Sequence, residues 1–131
     1  MHAKTLLIVL FASLLILAGC RGTVPVHNVS DTTVTDVQGD HPSADQMQQA
    51  IRSAGAALGW RMSEVEPGLL EARLHLRDHV AVVEIPYADG QYSIRYKDSA
   101  NLHYQDGQIH PNYNNWIINL DNQIRAQVST L

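Results

Sequence analysis

The sequence predicts an α+β domain: an antiparallel sheet of three to four strands in meander order, flanked by an N-terminal and a C-terminal helix packed on one face. Three observations carry this. Two segments, one around residue 50 and one at the end of the chain, repeat apolar residues at helical spacing. Four runs between them alternate or concentrate apolar residues in the manner of strands. Short turn signals separate those runs and favour sequential antiparallel pairing. With both helices on one face, the result is a two-layer sandwich.

The first helix is expected over about 44–57. Ser43 and Gln46 form a capping-box pair and Asp45 sits in the first turn. Met47, Ile51, Ala54 and Leu58 share a face, and Gly59 is a good stop. "WRMSEVE" alternates weakly and ends at the Pro67-Gly68 turn. "LLEARLHLR" alternates cleanly, with Leu70, Ala72, Leu74 and Leu76 opposite Glu71, Arg73, His75 and Arg77. "HVAVVEIPY" is apolar on both faces, which marks a central or covered strand, and Ala88-Asp89-Gly90 closes a hairpin. "QYSIRYK" sets Tyr92, Ile94 and Tyr96 against Ser93, Arg95 and Lys97. In the second helix Tyr113, Trp116, Ile117, Leu120, Ile124, Val128 and Leu131 form one stripe behind Pro111, which suits a first turn.

The N-terminal third has a different character. Lys4 precedes an apolar run from Leu6 to Leu17, too short for a comfortable span and followed by small residues, the build of a signal peptide. It ends in Leu17-Ala18-Gly19-Cys20, which resembles the lipobox of bacterial lipoproteins. The resemblance implies cleavage before Cys20, acylation of that cysteine and attachment to membrane lipid; an ordinary secretory signal with an incidental cysteine is the alternative. In that family the residue after the cysteine directs sorting, and Arg21 rather than Asp implies the outer membrane, with the domain facing the periplasm. Residues 1–19 are then a signal peptide, 20–42 a lipidated cysteine with a flexible tether, and 43–131 the folded domain. Residues 21–42 show no helical period, although their valine spacing also allows a short extended strand.

Composition narrows the chemistry. Cys20 is the single cysteine, so its acylation leaves no thiol for a disulfide, a nucleophile or a metal. Loss of residues 1–19 leaves eight basic and thirteen acidic residues, a net charge of about −5. No basic run occurs, which argues against nucleic acid as a partner and against adhesion of the domain to an anionic lipid surface. No phosphate loop, dinucleotide fingerprint or zinc-protease motif is present, and no cofactor or metal is expected.

The densest polar-aromatic stretch is "DSANLHYQDGQIHPNYNNW", residues 98–116. Asp106-Gly107 is a turn signal that brings His103 toward His110, with Asp106 at the tip. A metal site or catalytic centre on the two histidines is one reading; a helix-entrance role for His110 is the other. Ser99, His103 and Asp98 have the residue types of a nucleophilic relay without its frame, and Ser99 with Asn101 reads better as a turn. His75 and His79 straddle a turn, but Arg73 and Arg77 disfavour a third cation beside them. Glu64 and Glu66 share a strand face and read as an exposed edge. Asn101, His103, Tyr104, His110 and Asn112 are the candidate ligand or partner surface, with amides and aromatic faces suited to a glycan.

"YSIRYKDSANLHY" and "IHPNYNNWIINL", with "ALGW" and "VAVVEIPY" as companion blocks, resemble a signature of small, uncharacterised proteobacterial lipoproteins. The resemblance covers about 44–130 plus the lipobox. It implies an α+β lipoprotein domain and carries no catalytic residue. The expected function is a membrane-anchored, non-enzymatic binding or assembly module whose partner is an envelope protein or cell-wall glycan. The alternative is a periplasmic enzyme or metal binder using His103 and His110.

Overall fold

A computed structural model describes residues 22–131; the expected signal peptide and Cys20 lie outside the described residues. The elements run β1 (Val24–Pro25), β2 (Val29–Thr33), α1 (Ala44–Ala57), β3 (Arg61–Glu66), β4 (Leu69–Leu76), β5 (His79–Ala88), β6 (Gln91–Ala100), β7 (Gln108–Ile109) and α2 (Pro111–Val128). The fold is α+β as expected. The meander β3-β4-β5-β6 is present, and the doubly apolar β5 lies between β4 and β6. No helix among the described residues is long and apolar enough to cross a membrane.

Two findings concern the N-terminal segment. The sheet has five strands in the order β2-β6-β5-β4-β3, because β2 adds antiparallel to β6. A separate two-stranded ribbon pairs β1 with β7. Residues 21–42 were expected as a flexible tether, yet 24–25 and 29–33 are strands, so the valine spacing reports extended structure. Val29 and Val34, at the two ends of β2, are buried in the core. Asp31, with φ 49°, breaks the register between them and accepts the Ser93 hydroxyl bond of the covered strand. Burial of two valines at about 1.5–3 kcal/mol each helps offset the ordering of this short edge strand.

The core lies between one sheet face and the two helices. Leu70, Ala72, Leu74, Ala81, Val83, Ile85, Tyr92 and Ile94 meet Met47, Ile51, Tyr113, Ile117, Leu120 and Ile124. Leu76, expected on the buried face, is 47% exposed at the last residue of β4, where it pairs with His79 beside the turn. The Ser43 capping box forms, with Gln46 N–H donating to Ser43 Oγ at 3.2 Å. Gly55 is buried in the last turn of α1, three residues before its C-cap Leu58. A Cβ there would overlap the end of the flexible Met62 side chain on β3 and crowd Trp60 Cβ.

Register defines two ends. The upper end holds the Pro67-Gly68 and Asp89-Gly90 turns, the start of α1 and the end of α2. The lower end holds the Arg77-Asp78 turn, the loop 101–107, the β1–β7 ribbon and the start of α2.

Candidate functional site

The loop between β6 and α2 is built from local rules. Asp106 and Gly107 both have positive φ, 51° and 76°, and Gln105 and Gln108 exchange both backbone hydrogen bonds at 3.0 and 2.9 Å. This is the two-residue turn that Asp-Gly announces, and it puts Asp106 at the tip. Leu102 is buried and pulls the loop inward, while His110 N–H donates to Leu102 O at 2.8 Å. Asn101 and His103 flank that plug with φ of 59° and 55°, a conformation Asn and His tolerate better than most residues. The loop therefore alternates strained and buried positions, and its exposed side chains point away from the plug.

His103 and His110 converge. Their ring centroids are 6.4 Å apart, and both line an open cavity of about 660 Å³ with Thr23, Gln105, Asp106 and Gln108. His110 also caps α2: its Nδ1 accepts from Asn112 N–H at 3.1 Å. That bond leaves Nε2 as the nitrogen that carries the proton in the neutral ring. No group of three or more His, Cys, Asp or Glu among the described residues is arranged to hold a metal ion.

The other three candidates lie outside this cavity. Asn101 is structural: its Nδ2 donates to Asp78 O at 2.6 Å and its carbonyl accepts from His79 Nδ1 at 2.8 Å. Tyr104 is half exposed and stacks on Tyr96, centroids 4.3 Å apart, while Tyr96 meets Tyr113 edge-on. Burial pushes the Tyr96 hydroxyl above its ordinary range, partly offset by its bond to Ser99 Oγ at 2.8 Å. Asn112 is exposed, and its backbone receives the cap. Ser99 is engaged with Tyr96, and its N–H donates to Asp98 Oδ1, so the relay reading of Ser99, His103 and Asp98 has no geometry behind it. Glu64 and Glu66 lie exposed on edge strand β3 with a register break between them.

What sequence reading missed is the contribution of the supposed tether. Gly22 and Thr23 wall the cavity, and β1 pairs with β7 beside it. Asn114, in the first turn of α2, clamps that segment: its Oδ1 accepts from His27 N–H and its Nδ2 donates to Pro25 O, both at 2.9 Å. Nothing local in residues 22–27 announces a partner some 87 positions away.

A second concavity, about 400 Å³, lies on the open sheet face and is lined by Gly59, Arg61, Arg73, His75 and Arg77. His75 and His79 thus diverge, His75 into this groove and His79 onto Asn101. The absence of a basic run in the sequence does not extend to three dimensions, because pairing of β3 with β4 assembles a cationic cluster from separated residues. No family model, curated protein or solved structure matches the chain.

Proposed function

We propose that this chain is a lipid-anchored protein of the bacterial outer membrane whose periplasmic domain binds an envelope protein or cell-wall glycan without catalysing a reaction. The observation that carries the reading is Leu17-Ala18-Gly19-Cys20 at the end of an apolar run, with Arg21 after it. Two or three acyl chains hold a protein on a membrane stably, at about 0.8 kcal/mol per buried methylene. Val24 already belongs to β1, so an anchor at Cys20 ties the lower end of the domain close to the lipid. The exposed His103, Gln105 and Asp106 then present a polar surface near the anchor. Cys20→Ser should abolish acyl labelling and release the chain from membranes; unchanged labelling sinks the anchor assignment. Recovery in the inner rather than the outer membrane on fractionation would overturn the sorting inference.

One observation favours a second reading: His103, His110, Asp106 and Thr23 line one open cavity. Two imidazoles there could bind a transition metal with water completing the shell, or act in proton transfer. Titration with zinc is the test. Saturable binding lost in His103→Ala supports this reading, and no binding removes its metal form.

A further inference from the structure

We propose that the groove between β3, β4 and the β4–β5 turn binds a phosphate group, with Arg61, Arg73 and Arg77 as its ligands. The anion chemistry is independent of the lipid-anchor reading; only a membrane source for the phosphate rests on it.

The first observation is register. Arg61 and Arg73 are direct cross-strand partners. Like charges in that position repel and cost stability. The arrangement depends on one extra residue: Glu66 pairs with Leu69, but the break at Val65 shifts the rest of β3, so Glu64 pairs with Leu70 and Arg61 with Arg73. Without that shift, Arg61 would face Leu74 on the buried side of the sheet. A one-residue slip exchanges the two faces of a strand. The bulge thus builds the like-charge pair.

The second observation is the lack of compensation. Arg61, Arg73 and Arg77 form no ion pair among the described residues. The acids nearest in sequence are turned elsewhere. Glu71, two residues before Arg73, holds Lys97 at 2.6 Å, and Asp78 Oδ1 lies 3.6 Å from His79 Nε2. Three of the eight basic residues of an acidic mature chain therefore line one groove with no carboxylate in its lining.

The third observation is shape and placement. The groove is concave, and Gly59 forms part of its wall without a side chain. Arg77 stands at the turn with φ 57°, unusual for a long side chain, and lines the same groove as the pair. Guanidinium forks match the oxygens of a phosphate bidentately. The groove lies at the lower end, as does β1, whose Val24 stands four residues after Cys20. A phosphate-bearing lipid headgroup and a free phosphate share the recognised chemistry.

The test uses the full chain in dodecyl maltoside micelles, with its acylation read independently by intact mass so that loss of the anchor and loss of the groove are separable. Titration with inorganic pyrophosphate, and with phosphatidic acid mixed into the micelles, should give saturable binding. Arg73→Gln and Arg61→Gln should each weaken it about tenfold or more, as expected for loss of a charge-assisted bond. Arg77→Asn removes charge while suiting the left-handed turn, and serves if a strand variant fails to fold. Arg95→Gln, the same charge change on the same face outside the groove, should leave binding unchanged. Preference for phosphatidic acid assigns a lipid headgroup, and equal affinity assigns free phosphate. No saturable binding of either probe, or equal weakening by Arg95→Gln, overturns the proposal.

Discussion

On the open face of the sheet, Glu71 and Glu84 oppose each other across β4 and β5, and Arg61 and Arg73 do so across β3 and β4. Both pairs set like charges side by side, yet only the first is answered. Lys97 reaches across from β6 to Glu71 at 2.6 Å and to Glu84 at 3.5 Å, and its hydrogen bond to Glu71 raises its pKa above the ordinary lysine value. Lys97 is itself the extra residue of a bulge, since Val82 pairs with Asp98 and Val83 with Tyr96. Two bulges on one sheet thus have opposite electrostatic outcomes: one delivers a counter-charge, the other exposes an unmet demand for one. A repulsion left standing where a carboxylate would cure it points to something outside the chain.

The same contrast between met and unmet groups recurs in the core, where it is worth most. Tyr92 donates to Asp121, whose other oxygen is held by Arg125 at 3.2 Å. Tyr113 is fully buried and its hydroxyl has no partner among the described residues. Tyr92→Phe should cost about 1.5–3 kcal/mol, the range for a hydrogen bond to a charged group, measured by urea unfolding. Tyr113→Phe should be neutral or stabilising, because it removes an unsatisfied polar atom without changing shape. Equal losses for the two would show that Tyr113 has a partner after all.

Burial is the main cause that raises the ionisation of both Tyr92 and Tyr113 well above the ordinary tyrosine value, with Asp121 adding to it at Tyr92. Above about pH 10 the unfolded chain releases protons that the folded chain retains, so stability is intact below that pH and falls as pH rises through it. The slope is at most about 1.4 kcal/mol per pH unit for each buried tyrosine. Alkaline urea titrations of Tyr113→Phe should show a shallower decline than the parent.

Much of the fold was legible because its signals are local. The Ser43 and Gln46 pair and the Asp89-Gly90 turn each lie within a few residues, the stripe from Tyr113 to Val128 repeats every three or four, and α1 spans the expected 44–57. The N-terminal strands, β2 in the main sheet and β1 in the ribbon with β7, were not legible as such. Their partners Ile94 and Ile109 are more than sixty residues away, and β2 shows mostly polar exposed side chains between Val29 and Val34. The convergence of His103 and His110 was readable from Asp106-Gly107, whereas the share of Thr23 in their cavity was not. The arginine groove was hidden by a single bulge: Arg61 and Arg73 stand in plain sequence, but nothing in "SEVE" announces which residue is extra.

An intermediate effect tests the unmet pair directly. Arg73→Glu converts Arg61 and Arg73 from a like-charge pair into an opposite-charge pair. In phosphate-free buffer at low salt it should raise stability by about 0.5–1 kcal/mol while abolishing pyrophosphate binding. Gain of stability with loss of binding is the signature of a site kept at some cost to the fold. A loss of stability would mean that Arg61 and Arg73 already share a counter-charge.

The smallest effect belongs to the answered pair. Lys97 is solvent-exposed, and exposed ion pairs contribute little. Lys97→Met nevertheless leaves Glu71 and Glu84 facing each other with no cation between them, so the thermal midpoint should fall at low ionic strength. The fall should shrink in high salt, since mobile ions within a Debye length of about 3 Å at 1 M screen the repulsion as Lys97 did. Glu71→Gln in the Lys97→Met background should restore the midpoint, because one carboxylate alone has nothing to repel. If Lys97→Met lowers the midpoint equally at all salt concentrations, the lysine acts through packing rather than charge, and the electrostatic pairing of the two halves fails at its simpler end.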